Sequence, residues 1–253
     1  MKIAIIGYGK MGKMTEQIAR AQGHDIAAIV DPLADKFSGI PSGKTVAETN
    51  LDHADAAIEF SQPAAAAENL IALAQKKIPT VTGTTGWFEQ MDKVRKAVED
   101  ADTSLLWASN FSIGVNLFYR IAWYASELMN NFTEYDIGGF EVHHNKKLDS
   151  PSGTAKTLAE GVLSRIERKK KINWETQKDK PREDELHFPS LRIGSVHGTH
   201  SLFFDSPADT IEITHTARSR EGFALGAVQA AKWLIAEKRH GVFTIDDMFQ
   251  ELI

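Results

Sequence analysis

Two histidines, a lysine and a small-residue turn crowd into one stretch, Glu141-Val142-His143-His144-Asn145-Lys146-Lys147-Leu148-Asp149-Ser150-Pro151-Ser152-Gly153-Thr154-Ala155. Imidazole and ammonium groups hold anions and deliver protons. The turn ahead of Thr154 reads as the opening of a helix, where unpaired N–H groups and the helix dipole favour an anion. Gly153 has no side chain to keep a carboxylate off the backbone. The set suits a small polyanion that must be protonated as it reacts. A second stretch supplies a hydride source. Gly7-Tyr8-Gly9-Lys10-Met11-Gly12 has G-x-G-x-x-G spacing, follows an apolar run and opens a helical pattern. In that setting the glycines let a pyrophosphate approach the backbone and rest on the helix N-terminus. Asp31 ends the next apolar run, nineteen residues past Gly12, where a carboxylate takes ribose hydroxyls. Asp31 leans toward NADH because a carboxylate repels a 2′-phosphate; Lys10, Lys13 or Lys36 would offset that repulsion and admit NADPH. Together the two stretches point to a reductase.

Positioning those residues requires a particular succession of elements. Short apolar runs at residues 2–6, 26–30, 54–60, 78–82 and 104–108 alternate with helical patterns at 12–22, 64–76 and 88–100. This is the pattern of a doubly wound parallel sheet of Rossmann type, covered on both faces. Gly83-Thr84-Thr85-Gly86 and Ala108-Ser109-Asn110-Phe111 fall at the ends of two of these strands, where open α/β sheets bind ligands. Past Gly114 the pattern changes: a helix at 115–129, a strand at 136–142, a helix at 154–170, then consecutive strands at 191–196, 198–204 and 210–217. Strands in succession predict a second, α+β domain with a mixed or antiparallel sheet. A final Ala-rich helix at 223–238 is expected to return to the first sheet. The domains are therefore expected at 1–112 with 222–253, and at 113–221. The basic run Arg168-Lys169-Lys170-Lys171 reads as a solvated helix end. Phe118, Trp123 and Trp233 read as core, and His197, His200 and His215 as structural.

Composition narrows the function classes. The chain has 253 residues, no cysteine and a net charge of −5. Disulfides and thiolate metal sites are thereby excluded, and nucleic acid is disfavoured as a partner. No apolar run approaches eighteen residues, so no membrane span is expected. The N-terminal apolar run ends in a glycine loop and reads as a strand rather than a signal peptide. A cytoplasmic protein is the expectation. His143 and His144 would need a third ligand to hold a metal; Glu141 and Asp149 are available, but Lys147 would set a cation beside it. We expect no metal.

The His-His–Lys–Pro-Ser-Gly-Thr stretch resembles the signature of the dihydrodipicolinate reductases, enzymes of lysine and diaminopimelate synthesis. The resemblance extends through Gly9-Lys10-Met11-Gly12, Gly83-Thr84-Thr85-Gly86, Asn110-Phe111-Ser112-Ile113-Gly114-Val115-Asn116, Glu212-Ile213-Thr214-His215, Ser219-Arg220 and the final helix. It implies catalysis by His143 and proton donation by Lys147. His144, Gly153 and Thr154 would contact a substrate carboxylate. Gly7, Tyr8, Gly9, Lys10, Met11, Gly12, Asp31, Gly83, Thr84, Thr85, Ala108, Ser109, Asn110 and Phe111 would contact NADH or NADPH. It also implies a dicarboxylate cyclic imine as substrate and a homotetramer built through the second domain. The first loop is one residue shorter than the family's frequent spelling, and Pro32 stands where many members carry Arg after the ribose acid. Two other readings share the N-terminal domain: an aspartate or diaminopimelate dehydrogenase, and a non-catalytic nucleotide-sensing regulator. Neither gives a reason for the His-His–Lys block.

Overall fold

The computed structural model describes residues 1–34 and 39–251. Lys36, weighed above against a 2′-phosphate, lies outside the described residues. The chain forms two compact units, one from Met1–Ser112 with Arg220–Ile253 and the other from Ile113–Ser219.

The first unit contains β1 (Lys2–Ile6), α1 (Lys10–Ala21), β2 (Asp25–Val30), β3 (Ser42–Gly43), β4 (Ala56–Glu59), α2 (Pro63–Gln75), β5 (Thr80–Thr82), α3 (Met91–Asp100) and β6 (Ser104–Trp107). The strands pair in parallel. Ile3, Ala4, Ile5 and Ile6 are all buried because helices cover both faces, which is why β1 is apolar at successive positions rather than alternate ones. Pro63 starts α2 at a position where its missing N–H costs nothing. Parallel pairing puts the carboxyl ends of β1, β4, β5 and β6 on one edge, so the loops after them gather there.

The second unit contains α4 (Ile113–Met129), β7 (Asp136–His143), α5 (Gly153–Leu163), β8 (Lys171–Asn173), β9 (Glu185–His187), β10 (Ser190–Arg192), β11 (Thr199–Asp205) and β12 (Thr210–Thr216). The sheet runs β12-β11-β7-β9-β8, with β10 also on β7. It is mixed: β11 is antiparallel to β7 and β12, while β9 and β10 run parallel to β7. The core of Val115, Phe118, Ile137, Leu158, Phe188, Leu202 and Phe204 lies between α4, α5 and this sheet. Trp123 packs on its margin.

The chain then returns to the first unit with α6 (Glu221–Ala236), β13 (Gly241–Thr244) and α7 (Ile245–Gln250). α6 packs on α1, β4, β5 and β6, and its alanines allow that close approach. β13 extends the first sheet beyond β6, giving the order β13-β6-β5-β4-β1-β2-β3. This seventh strand had no sequence signal, because its four residues are only half-buried and carry no alternation.

Two expectations are corrected in the second unit. The helix expected to reach Lys170 stops at Leu163, and the basic run is not a solvated helix end. The Arg168 guanidinium donates to the carbonyls of Met129 and Asn130, orphaned acceptors at the end of α4, and to that of Tyr135 just before β7. Lys169 is buried, with Nζ 2.6 Å from Asp136 Oδ1 and 3.0 Å from the Glu183 carbonyl. Residues 168–185 are strongly charged and run through β8 to the start of β9, and that charge concealed both short strands.

Candidate active site

In the first unit, Gly9 is the N-cap of α1, and no side chain caps that helix. A Cβ at Gly7 would come 2.3 Å from the Phe60 carbonyl oxygen, and one at Gly12 would come 2.1 Å from the Gly7 oxygen. Packing therefore demands both glycines. A Cβ at Gly9 would meet nothing within 4 Å, so packing makes no such demand there, and the bare position leaves room for a pyrophosphate. Asp31, at the end of β2, accepts the Tyr8 N–H on Oδ2 (2.7 Å) and the Leu33 N–H on Oδ1 (2.9 Å). The carboxylate is thus held against the glycine loop. Lys10 and Lys13 are exposed, with Lys13 Nζ 5.8 Å from the centroid of the Tyr8 ring.

A cavity of ≈ 270 Å³ is lined by Met11, Phe60, Gly83, Ala108, Ser109, Phe111, Arg220 and Phe223. It joins members of three loops named from sequence, and its wall includes Phe60, Arg220 and Phe223, which were not named as site residues. Phe60 lay hidden in an apolar run; Arg220 and Phe223 reach the cavity because α6 returns. Thr84 is buried, its hydroxyl taking the Ser61 N–H at 3.0 Å, whereas Thr85 is exposed. Asn110 Oδ1 takes the Ser112 N–H at 2.8 Å. Thr84, Thr85 and Asn110 shape the loops but do not line the cavity. Sequence reasoning also missed Glu59, a buried carboxylate that accepts the Ser61 N–H at 3.0 Å and the hydroxyls of Ser61 and Thr82. Its hydrogen bonds tie the ends of β4 and β5 together.

In the second unit, the site is built around Glu141. β7 delivers Glu141 and His143 to the same face, two residues apart. Glu141 is fully buried. Its Oε1 accepts from the Ser152 N–H (2.9 Å), the Ser190 hydroxyl (2.6 Å) and Arg192 Nη2 (2.9 Å). Its Oε2 faces His143 Nδ1 at 2.9 Å and His200 Nε2 at 3.6 Å. Burial by itself would raise the Glu141 pKa; the facing imidazoles of His143 and His200 and the hydrogen bonds from Ser152 and Ser190 outweigh it and hold the carboxyl well below the usual range. Burial pushes the His200 pKa down, against the attraction of Glu141, and so disfavours its charged form.

His144 begins the turn after β7, its N–H donating to the Val196 carbonyl at 2.7 Å. Lys147 closes that turn on the His144 carbonyl, and its Nζ sits 2.8 Å from Asp149 Oδ1. This hydrogen bond lowers the Asp149 pKa. The Ser152 N–H bond to Glu141 draws the chain back onto β7 just where α5 begins. Ser152 caps α5, its Oγ accepting the Ala155 N–H at 3.1 Å and lying 3.2 Å from His200 Nε2. Gly153 is exposed, with nothing within 4 Å of where a Cβ would sit. Thr154 follows in the first turn, its carbonyl 3.3 Å from the Tyr119 hydroxyl. His143 at the end of β7, His144 and Lys147 in the turn after it, and Gly153 and Thr154 in the first turn of α5 lie on one continuous segment, wrapped on a buried carboxylate, Glu141, that sequence reasoning weighed only as a spare metal ligand. Ligand atoms of Glu141, His143 and His200 lie within 4.8 Å of one another; Oε2 faces both imidazoles, while Oε1 takes three donors, Arg192 among them.

The chain matches the family model described as dihydrodipicolinate reductase, N-terminus, over residues 1–111, and that described as dihydrodipicolinate reductase, C-terminus, over residues 114–249. A 4-hydroxy-tetrahydrodipicolinate reductase of Christiangramia forsetii is 39% identical over 252 residues, covering 100% of this chain and 99% of the relative. One from Archaeoglobus fulgidus is 34% identical over 262 residues, covering 99% and 100%. Among solved structures, a dipicolinate-bound dihydrodipicolinate reductase from Paenisporosarcina sp. TG-14 superposes with a TM-score of 0.76 at 21% identity, over 96% of this chain and 97% of that one. The Rossmann-like parallel sheet and the second, mixed sheet recur in that fold. With family models spanning both units and relatives aligned end to end, the chain belongs to the dihydrodipicolinate reductase family of NAD(P)H-dependent oxidoreductases.

Proposed function

We propose that the protein reduces 4-hydroxy-tetrahydrodipicolinate, a cyclic imine dicarboxylate, to tetrahydrodipicolinate with loss of water, in lysine and diaminopimelate synthesis. The end-to-end identity with curated reductases of that name carries this reading. The loop from His143 to Thr154 supports it with the cations and helix N-terminus that a dicarboxylate requires.

We assign the nucleotide to residues 1–112 with 222–253 and the substrate to residues 113–221. Bound NADH or NADPH supplies the hydride. Gly7, Tyr8, Gly9, Lys10, Met11 and Gly12 form the pyrophosphate cradle, and Asp31 meets the ribose. Gly83, Thr84 and Thr85, with Ala108, Ser109, Asn110 and Phe111, wall the remainder of the nucleotide site. His144 and the N–H groups of Gly153 and Thr154 hold a substrate carboxylate. His143 and Lys147 carry the protons that neutralise the electron density left on the ring and accompany departure of water. Asp149, 2.8 Å from the Lys147 ammonium, aims that group. We assign the Glu141–His143–His200 trio to protons rather than a metal, since Arg192 already sets a cation 2.9 Å from the same carboxylate.

We assign a homotetramer formed through the second sheet. Its support is β12, an edge strand with exposed and half-buried residues, beside the stacked Phe140 and Phe203 rings at 5.7 Å. No described helix is long and apolar enough to cross a membrane; with no cysteine in the chain, we place the enzyme in the cytoplasm. The test is a coupled assay with freshly generated cyclic imine, run in parallel with NADH and NADPH. Substrate-dependent oxidation of either nucleotide is expected. Oxidative deamination of aspartate or diaminopimelate without reduction of the cyclic imine would overturn the reading in favour of an amino acid dehydrogenase.

A further inference from the structure

We propose that Glu141 is a positioning residue with two outputs: it fixes which nitrogen of His143 carries the proton, and it anchors the helix N-terminus that receives the substrate carboxylate. The inference rests on the roles proposed above for His143, Gly153 and Thr154, and it names the group that couples them.

The geometry divides the carboxylate into two sides. Oε1 is the structural side. It binds Ser152 from the α5 N-cap and Ser190 and Arg192 from β10, so three donors pin this oxygen. Oε2 is the chemical side. It lies 2.9 Å from His143 Nδ1, and both atoms are buried without an aligned hydrogen bond to any protein group. A buried carboxylate oxygen beside an imidazole nitrogen at that separation is relieved when Nδ1 carries a proton and turns it to the oxygen. Catalytic hydrogen bonds are often poorly aligned without substrate and tighten in the complex. With Nδ1–H committed to Glu141, Nε2 becomes the exchangeable position. That edge of the ring lies against Gly198, where an added Cβ would come 2.9 Å from Nε2.

The charged groups around the pair favour the same state. His200 from β11 faces Oε2, but burial disfavours its charged form, so it does not compete as a second cation. Arg192 from β10 holds Oε1. Lys147 on the loop after β7 is paired with Asp149 at 2.8 Å. His215 from β12 lies beyond His200 and is itself pushed toward neutrality by burial. Because Ser152 binds the same carboxylate, a shift of Glu141 moves both the His143 proton and the first turn of α5.

The experiment records long-range ¹H–¹⁵N spectra of histidine-labelled protein, with His143 assigned by its loss in His143→Ala. In the unliganded wild type, above the imidazole titration range, we expect the His143 proton on Nδ1. In Glu141→Gln the proton moves to Nε2. There, kcat for the cyclic imine falls about 10²-fold or more, the affinity for NADH stays within about twofold, and the acid limb of the kcat/KM profile shifts. Glu141→Asp restores the wild-type tautomer and part of the turnover. A wild-type spectrum with the neutral His143 proton on Nε2 overturns the proposal without any variant, so misfolding of Glu141→Gln cannot rescue it. An unchanged tautomer and pH profile in a folded Glu141→Gln overturns it equally, whatever the loss of turnover. If wild type shows the Nδ1 tautomer but never reduces the cyclic imine, the assigned substrate fails and the positioning role stands.

Discussion

Lys147 and Asp149 form an ion pair on the rim of the site, and each is partly exposed. If Lys147 supplies a proton in turnover, Lys147→Ala should lower kcat about 10²-fold or more while NADH affinity changes within about twofold. Steady-state kinetics and nucleotide fluorescence titration check this, and an equal loss of both would remove Lys147 from the chemistry. Glu141 and His200 govern stability against acid. A carboxyl held below its ordinary range contributes stability that is fully present above about pH 4.3 and lost as pH falls below that. A histidine pushed down by burial is neutral in the native state, so the unfolded chain gains a proton first as pH falls below about 6.5. Both signs favour the folded state at higher pH. Urea unfolding between about pH 7.5 and about pH 2 should therefore show stability declining in two stages, and Glu141→Gln should flatten the second.

At the scale of elements, the two helix N-termini make separable predictions. Ser152 caps α5 and also touches His200. Ser152→Ala should cost about 1 kcal/mol or somewhat more of stability. It should also raise KM for the dicarboxylate more than it lowers kcat, because the first turn loosens; denaturant unfolding and kinetics read the two effects. At α1, Gly12→Ala would force a methyl group against the Gly7 carbonyl, costing about 1–3 kcal/mol. Gly9→Ala meets open space and should leave stability within about 0.5 kcal/mol while weakening NADH binding. Thermal unfolding with and without nucleotide distinguishes them. The parallel strands were legible because buried central strands need continuous apolar runs. β8, β9 and β13 were not, since strands of three or four residues leave no periodicity to read.

At the scale of the whole molecule, light scattering coupled to size exclusion should give about four times the 28.0 kDa chain mass. Thr214→Lys on the edge strand β12 should dissociate the assembly by placing a charge on that edge. A chelator should leave turnover unchanged. What the sequence by itself determined was local: a glycine loop between a strand and a helix, an acid at the next strand end, and a loop dense in cations beside a helix start. These residues are close in the chain, so their spacing alone states their chemistry. Their order also implied the two sheets, because alternation and succession of strands are properties of sequence. Tertiary structure alone decided what surrounds them. Ser190, Arg192 and His200 lie 49 or more residues from Glu141 and reach it only because β10 and β11 pair with β7. Arg220 and Phe223 reach the cavity only because α6 returns to the first sheet. Arg168 and Lys169 look like surface charge until the end of α4 and the strand start at Asp136 claim them. A lone glutamate inside a strand carries no mark of function in sequence. It acquires one when burial removes water and leaves five protein groups to satisfy its charge.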